Sequence, residues 1–487
     1  MEVEANLSRH LPKIIVVGLP DMAVQEAKER VWAAIDNSDL KFPRQKVVIN
    51  LAPAQIRKEG SGYDLPMAVA VLVASGDLFL PVEKIAFIGE LSLSGELKAV
   101  PGILVMVSSL KEHGFKQVFL PAPNAKEASL IKDIDIYPIN NLRQLIDHFS
   151  GKLKLEKELT ATWQEQVEES TYDFSDIKGQ TEAKRALEIS AAGGHNVLLV
   201  GPPGAGKTML AKSFLSILPP LNFSESLEIS KIYSLAGLLS QEKYLIQQRI
   251  LRSPHHSASV AAMIGGGSWP RPGEISLAHR SVLFLDEILE FPRAVLEALR
   301  QPLEDKLITV SRVKGSLDFP ANFIMLATAN PCPCGYAGDL EQACICGQND
   351  IKRYQKRLSG PLLDRIDLHL VLSKVKSLDL ANKDDQQEKS GLVRQRVLTA
   401  RLRQYKRLGQ NILNADMSTK DCRNHCKLDI DSQKILNQAV DKMALTARGY
   451  FKILKVARTI ADLENSDDII LKHILEALQY RNKLWSQ

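Results

Sequence analysis

The chain lacks what would carry it into or across a membrane. No apolar run approaches the roughly 20 residues of a spanning helix. The opening "MEVEANLSRH" has neither the basic start nor the apolar stretch of a signal peptide, so the expected location is the cytoplasm. Internal repeats and low-complexity tracts are missing. Charge of one sign is scarce: 62 Lys+Arg against 57 Asp+Glu leave +5, which permits nucleic-acid binding without arguing for it. Cysteine is scarce as well, six in 487 residues. Cytoplasmic disulfides are rare, so cysteines that cluster point to metal or redox chemistry. Four of the six, Cys332, Cys334, Cys344 and Cys346, crowd into "NPCPCGYAGDLEQACICGQ".

What is present is room for about three domains of ~100–200 residues. Residues 1–150 alternate strand-like runs ("KIIVVG", "KVVINLA", "KQVFLPAP") with helical patterns. "MAVQEAKERVWAAI" puts Val24, Ala27, Val31, Ala34 and Ile35 on one helical face, and "KIAFIGELSLSGELKAV" reads as a hairpin. Together they predict one α/β domain. The charged stretch 151–172 reads as a connector. Across 173–375, "NVLLVG", "SVLFLDE" and "FIMLATAN" are separated by segments long enough for crossovers, which predicts a parallel, doubly wound sheet. From 376 to 487 strand signals stop and helical patterns take over.

"GPPGAGKT" has the spacing G-x-x-x-x-G-K-[ST], between a predicted strand and a predicted helix. In such a loop backbone N–H groups close around phosphate oxygens, here those of Gly201, Gly204, Ala205 and Gly206, while Pro202 and Pro203 complete the turn and Met209 lies just behind. Lys207 would reach the β- and γ-phosphates of ATP, and the Thr208 hydroxyl would ligate Mg²⁺. "SVLFLDE" is an apolar strand ending in two carboxylates: Asp286 to hold Mg²⁺ through water, Glu287 to polarise the attacking water. Asn330 ends the next strand, where an amide can orient that water. Arg365, in "SGPLLDRID", carries the right group for developing phosphoryl charge, although spacing alone does not separate it from a surface arginine.

The order of these elements resembles an AAA+ ATPase. "GHNVLLVGPPGAGKTMLA", "PHHSAS", "PGEISLAHRSVLFLDEILEF", "LRQPLEDKLITVSR" and "SGPLLDRID" resemble the magnesium-chelatase-like branch and, within it, the ComM (YifB) family. "VVGLPDMAVQEAKERVWAAI" and "INLAPAQIRKEGSGYDLPMA" match the same family, so the likeness covers essentially the whole chain. It implies an AAA+ P-loop parallel sheet, a helical C-terminal lid and a Lon-protease/S5-like α/β domain in front. It also implies a homo-hexameric ring that hydrolyses ATP, and a helicase or branch-migration motor on single-stranded and branched DNA in natural transformation. Arg365 then matches the arginine finger that acts on a neighbouring subunit, Asn330 the first sensor, and Arg448, in "TARGY", the second. Family members begin one or two strands earlier, so the first strand or hairpin of the N-terminal domain is expected to be absent or cut short.

"EGSGYDLPMAVA" and "AVPGILVMV" are similar to the stretches that hold the serine and lysine of active Lon proteases, with Asp64 and Leu104 in those places. Neither can do the dyad's chemistry, so no peptidase activity is expected. "LITVSRVKGSLDFPANF" reads as a hairpin around Lys314-Gly315-Ser316, where the related branch carries a pore hairpin. Arg312 and Lys314 would either contact backbone phosphates there or sit on a solvated turn, and Trp269, in a Gly-rich insert, would either stack on a base or pack its own loop. "VRQRVLTARLRQYKR" would either track phosphates or be a solvated face with acidic partners. The cysteine spacing, C-x-C-x9-C-x-C, allows tetrahedral Zn²⁺ in a closed structural site, with reduced thiols and an iron–sulfur cluster as the alternatives. Cys422 and Cys426 flank His425 without a fourth ligand. Two other functions stay open: a chelatase-type chaperone that remodels a protein partner, and, against the missing dyad, an ATP-dependent protease.

Overall fold

Alternation along "KVVINLA" builds the first sheet. The computed structural model describes residues 1–55, 58, 60–81, 84–160, 163, 171–240, 242–266, 271–312, 315–339, 341–374 and 387–481. Trp269, Lys314, much of the expected connector and the segment 375–386 lie outside them. Strands β1 (Glu2–Ser8), β2 (Lys13–Val17) and β3 (Lys46–Ala52) run in the order β1-β3-β2, with β3 antiparallel to β1 and parallel to β2. Val47, Ile49 and Leu51 of β3 are buried and the residues between them half-buried. The helix Met22–Asp36 covers them with Val24, Ala27, Val31, Ala34 and Ile35, the face its periodicity predicts, and Asp21 caps it by accepting from Val24 N at 2.8 Å.

The expected hairpin over residues 84–100 is smaller than its sequence implies. β4 (Ile85–Phe87) runs parallel to β7 (Gln117–Pro121), which runs parallel to β8 (Asp135–Ile139). Only β5 (Glu90–Leu91) and β6 (Leu97–Lys98) pair as a hairpin. Phe87 stacks on the buried Phe119 of β7 at 5.5 Å, and burial of that apolar surface favours the sheet over local pairing. Asp64 is fully buried and held by Arg30 through two hydrogen bonds of 2.7 and 3.0 Å; Leu104 is also buried.

Residues 1–164 form one compact unit together with residues 226–246, which interrupt the other unit in sequence. That segment docks within its own unit: Gly102 N donates to Ser234 O at 3.1 Å, and Lys231 Nζ to Ser108 Oγ at 2.9 Å.

The second unit comprises residues 165–225 and 247–487. Its strands are β9 (Val197–Val200), β10 (Leu251–Arg252), β11 (Gly265–Gly266), β12 (Arg271–Pro272), β13 (Val282–Leu285), β14 (Leu307–Arg312), β15 (Gly315–Pro320), β16 (Ile324–Ala329) and β17 (Leu368–Val371). Among the described residues β10-β13-β16-β9-β17, in that order, make a five-stranded parallel sheet. β9, β13 and β16 are buried at every position, as a sheet covered on both faces requires. β14 and β15 pair antiparallel, with Arg312 opposite Gly315. Gly315 and Ser316, placed in the turn by the sequence, already belong to the second strand.

The C-terminal helices Ser390–Leu408, Thr419–His425, Ile430–Met443, Ala447–Leu463 and Leu471–Gln479 follow. No helix among the described residues is long and apolar enough to cross a membrane. Buried polar contacts join these helices to the sheet. Asp367, just before β17, accepts from Asn196 N at 2.9 Å and from Lys452 Nζ at 2.5 Å, the lysine lying on the helix Ala447–Leu463. His195 Nε2 meets Thr459 Oγ1 of that helix at 2.8 Å, and burial pushes the imidazole down to about 4, so it is neutral. Asp462, fully buried, pairs with Arg407 at 2.6 Å and Arg458 at 3.2 Å.

Burial by itself would raise the Asp367 carboxyl, but Lys452 and His195 hold it well below the usual carboxylate range. Asp367→Asn leaves Lys452 without its counter-charge and should cost about 3–5 kcal/mol of stability, read by urea unfolding of the full chain. A depressed folded-state pKa contributes stability that is complete above the unfolded value of about 3.9 and lost as pH falls through the folded one. The gap between wild type and variant should therefore hold from neutral pH to about pH 4 and shrink only below that. A gap that closed already between pH 7 and 5 would contradict the assignment.

Candidate nucleotide site and cysteine cluster

Strand register brings the site together. Ala329 pairs with Val200 and Leu285 with Ala327, so Gly201, Asp286 and Asn330 leave the sheet at the same edge. The phosphate loop turns through Gly204 (φ +80°) and Gly206 (φ +83°), conformations that glycine adopts without strain, and runs into the helix Lys207–Ile217. A Cβ on either glycine would meet nothing within 4 Å, so the cradle is open. Pro203, Gly204 and Met209 are exposed, whereas Gly201, Pro202 and Ala205 are buried.

Lys207 Nζ donates to Asn330 Oδ1 at 2.8 Å, to Pro202 O at 3.1 Å and to Gly201 O. Burial lowers its pKa while Asp286 and Glu287 push the other way. Thr208 Oγ1 donates to Asp286 Oδ2 at 3.3 Å, which sets a hydroxyl beside a carboxylate, the donor pair that suits Mg²⁺. Glu287 is exposed and sits at φ +52°, an uncommon conformation for glutamate that turns the chain sharply after β13. The open cradle, the lysine and the Thr208–Asp286 pair fit a nucleotide triphosphate with Mg²⁺.

Two residues that the sequence reading passed over complete the arrangement. Thr328, fully buried in β16, donates to Asp286 Oδ1 at 2.5 Å and accepts from Glu287 N at 2.9 Å. A hydroxyl inside the apolar strand "IMLATA" was the available signal. The second is Glu304. Arg365 and Arg448 both form ion pairs with its carboxylate. Burial opposes this, but the two guanidiniums hold Glu304 below the usual range. Arg365 also donates to Pro361 O at 2.8 Å, and neither arginine bonds to a phosphate-loop residue within the subunit. Both line an open cavity of about 880 Å³ together with Arg280, Glu304, Lys306 and Lys452. Nothing local in the sequence ties Glu304 to arginines 61 and 144 positions away.

Arg312 ends β14, and nothing further is described at that hairpin turn. On the arginine-rich helix Ser390–Leu408 only Arg401 is buried among the arginines and lysines, but several others find partners. Arg396 pairs with Glu188, Arg407 with Asp462, and Arg401 donates to Ala191 O at 2.9 Å. Of its two readings, acidic partners account for these side chains better than phosphate tracking does.

Cys332, Cys334, Cys344 and Cys346 have all four Sγ atoms within 4.8 Å of one another. Cys332 lies 3.3 Å from Cys334, and both lie 3.6 Å from Cys344. Sulfurs on one tetrahedral Zn²⁺ sit roughly 3.8 Å apart, given Zn–S bonds of about 2.3 Å. The clustered cysteines therefore suggest a zinc site. Backbone N–H groups of Tyr336 and Ile345 pull the Cys334 thiol down to about 6, while burial pushes Cys332 up to about 12. No other metal-holding group of this kind occurs among the described residues, and Cys422 and Cys426 are buried and free. Thr328→Val keeps the shape of the strand but removes the hydroxyl between Asp286 and Glu287. It should lower Mg²⁺-dependent ATP turnover by on the order of 10- to 100-fold while nucleotide binding persists, measured as kcat against Kd. Unchanged turnover would remove Thr328 from the site.

The chain as a whole is similar to known proteins. Residues 173–380 match the family model described as "Magnesium chelatase, subunit ChlI", residues 3–124 "Subunit ChlI of Mg-chelatase" and residues 387–481 "Magnesium chelatase, subunit ChlI C-terminal". The chain is 43% identical to the YifB protein of Salmonella typhimurium over 481 residues, 98% of this chain and 93% of that one. To the competence protein ComM of Haemophilus influenzae it is 41% identical over 485 residues, 98% of this chain and 94% of that one. A shorter likeness, 27% over 146 residues, covers 29% of this chain and 23% of the archaeal Lon protease of Thermococcus kodakarensis. With a phosphate loop on a five-stranded parallel sheet, a helical C-terminal domain and a Lon-like N-terminal domain, the chain belongs to the ComM/YifB family of magnesium-chelatase-like AAA+ ATPases.

Proposed function

We propose that the chain is the subunit of a homo-hexameric ring that hydrolyses ATP to unwind and branch-migrate DNA during the recombination step of natural transformation. The observation that carries the reading is the pairing of Arg365 and Arg448 on Glu304, with neither bonded to the phosphate loop of its own subunit. Two cations lining an open cavity fit the phosphates of a nucleotide held by a second copy. The competence role named for the Haemophilus relative supports the DNA side.

Within the site each residue has a task. Lys207 exchanges the oxygens of Asn330, Pro202 and Gly201 for phosphate oxygens. The Glu287 carboxylate orients the attacking water and draws on its proton, and the Asn330 amide positions that water. Mg²⁺, held beside Thr208 and Asp286, would supply charge neutralisation at the phosphoryl oxygens. Arg365 and Arg448 act across the interface, so hydrolysis alters subunit contact, the coupling a translocating ring needs. Arg312 and Lys314 would meet phosphates of DNA in the ring, and Trp269 would stack on a base. The four cysteines would hold Zn²⁺ as a structural ion, since four thiolates leave no open position.

Strand displacement tests the motor directly. Wild-type protein with ATP and Mg²⁺ should displace a labelled strand from forked and three-stranded DNA, and Glu287→Gln should not. ATP turnover that is intact but indifferent to DNA, with no displacement, would sink the motor and favour the alternative of a chelatase-type chaperone that remodels a protein partner. Subunit mixing tests the shared site. Lys207→Ala and Arg365→Ala should each be inactive alone, and a mixture of the two should recover turnover, because an intact phosphate loop then faces an intact arginine. A mixture as inactive as its components would place Arg365 outside the neighbour's site.

A further inference from the structure

The cysteine loop is more than an appendage to the strand before it. Its first residue follows Asn330, which already bonds Lys207 at 2.8 Å. Five positions on, Gly335 (φ +88°) lies directly against the phosphate loop: a Cβ there would sit 2.7 Å from Cδ and 2.8 Å from Cγ of Pro203. Only a residue without a side chain lets the loop come this close, and the positive φ favours the same residue. The loop is anchored from behind as well. Gln355 Nε2 donates to Pro331 O at 3.0 Å, and Lys374 Nζ, beyond β17, pairs with Asp339 at 2.9 Å. Between these anchors the cysteines converge, with Cys332 fully buried and its Sγ accepting from Ala337 N at 3.2 Å.

We propose that the zinc-loaded cysteine loop is a wall of the nucleotide pocket, which holds the phosphate loop in its phosphate-binding shape through the Gly335–Pro203 contact, so that nucleotide affinity depends on zinc. The inference rests on the zinc reading given above. Among the described residues the stretch from Cys332 to Cys346 has no strand or helix of its own, so its path between those anchors is set by turns and side-chain contacts. Four bonds to one ion would fix it, and with it the face that Gly335 presents to Pro203. Pro203 lies two residues after Gly201 and four before Lys207, so its displacement moves the backbone N–H groups of the cradle. The chain therefore carries a metal requirement for nucleotide binding that is separate from Mg²⁺.

The test separates the two layers. Metal analysis of the full-length protein comes first and should find about one zinc per chain. Zinc is then stripped with a zinc-selective chelator, and the Kd for a fluorescent ADP is measured with Mg²⁺ in excess. The expected result is binding on the order of tenfold weaker, restored when Zn²⁺ is added back; restoration excludes misfolding as the cause. Cys344→Ser should behave as the stripped protein does. Pro203→Ala removes the ring atoms that Gly335 touches, and its Kd, whatever its value, should be the same with and without zinc. Zinc present but a wild-type Kd indifferent to its removal overturns the wall while leaving the metal site. A zinc effect that persists in Pro203→Ala overturns the route through this contact. No zinc in protein purified and reloaded with Zn²⁺ overturns the metal reading and this inference with it.

Discussion

The nucleotide end of this molecule depends on the parallel register of β9, β13 and β16. Because Ala329 pairs with Val200 and Ala327 with Leu285, the phosphate loop, the Asp286–Glu287 pair and Asn330 emerge at one edge. A slip of one residue in either pairing would turn each strand's side chains to the opposite face and carry Asn330 away from Lys207. Burial on both sides of the sheet makes such a slip costly, since every position of these strands is apolar or, like Thr328, hydrogen-bonded. The site is therefore as rigid as the core beneath it.

Charge is handled differently in the two places where it concentrates. At the phosphate loop, Lys207 is satisfied by neutral oxygens, which a phosphate can replace without breaking an ion pair. At Glu304, two guanidiniums share one carboxylate, so that group of three keeps a net positive charge. An anionic ligand can compete for those cations on favourable terms. Asp367 pairs with Lys452 at the wall of the cavity that these arginines line, and deeper in the fully buried Asp462 pairs with Arg407 and Arg458. Asp367–Lys452 ties the helix Ala447–Leu463 to the start of β17 and Asp462–Arg407 ties it to the helix Ser390–Leu408, which together set where Arg448, on its first turn, stands.

Much of the fold and part of the site were legible along the chain. The amphipathic face of Met22–Asp36 could be counted residue by residue, because a helix that covers a sheet must repeat its apolar positions every three to four residues. The phosphate loop and the "DE" strand end were legible because their chemistry uses consecutive residues. The parallel placement of β4 was not, since a three-residue apolar run pairs equally well with a local or a distant partner. The docking of residues 226–246 with the first unit was not either, since nothing in their composition marks which core they join.

The sequence by itself determined the parts whose chemistry is local: a Gly-rich loop with the spacing of a phosphate loop, two carboxylates after a buried strand, and four thiols close enough in sequence to share an ion. Tertiary structure alone decided the pairings between distant residues. Glu304 between Arg365 and Arg448, Thr328 beneath Asp286 and Glu287, and Gly335 against Pro203 join positions 61, 144, 42, 41 and 132 residues apart. No periodicity reports such contacts. They exist because parallel strands bring remote segments to one edge, and because a buried or crowded polar group must take whichever partner the fold puts within reach.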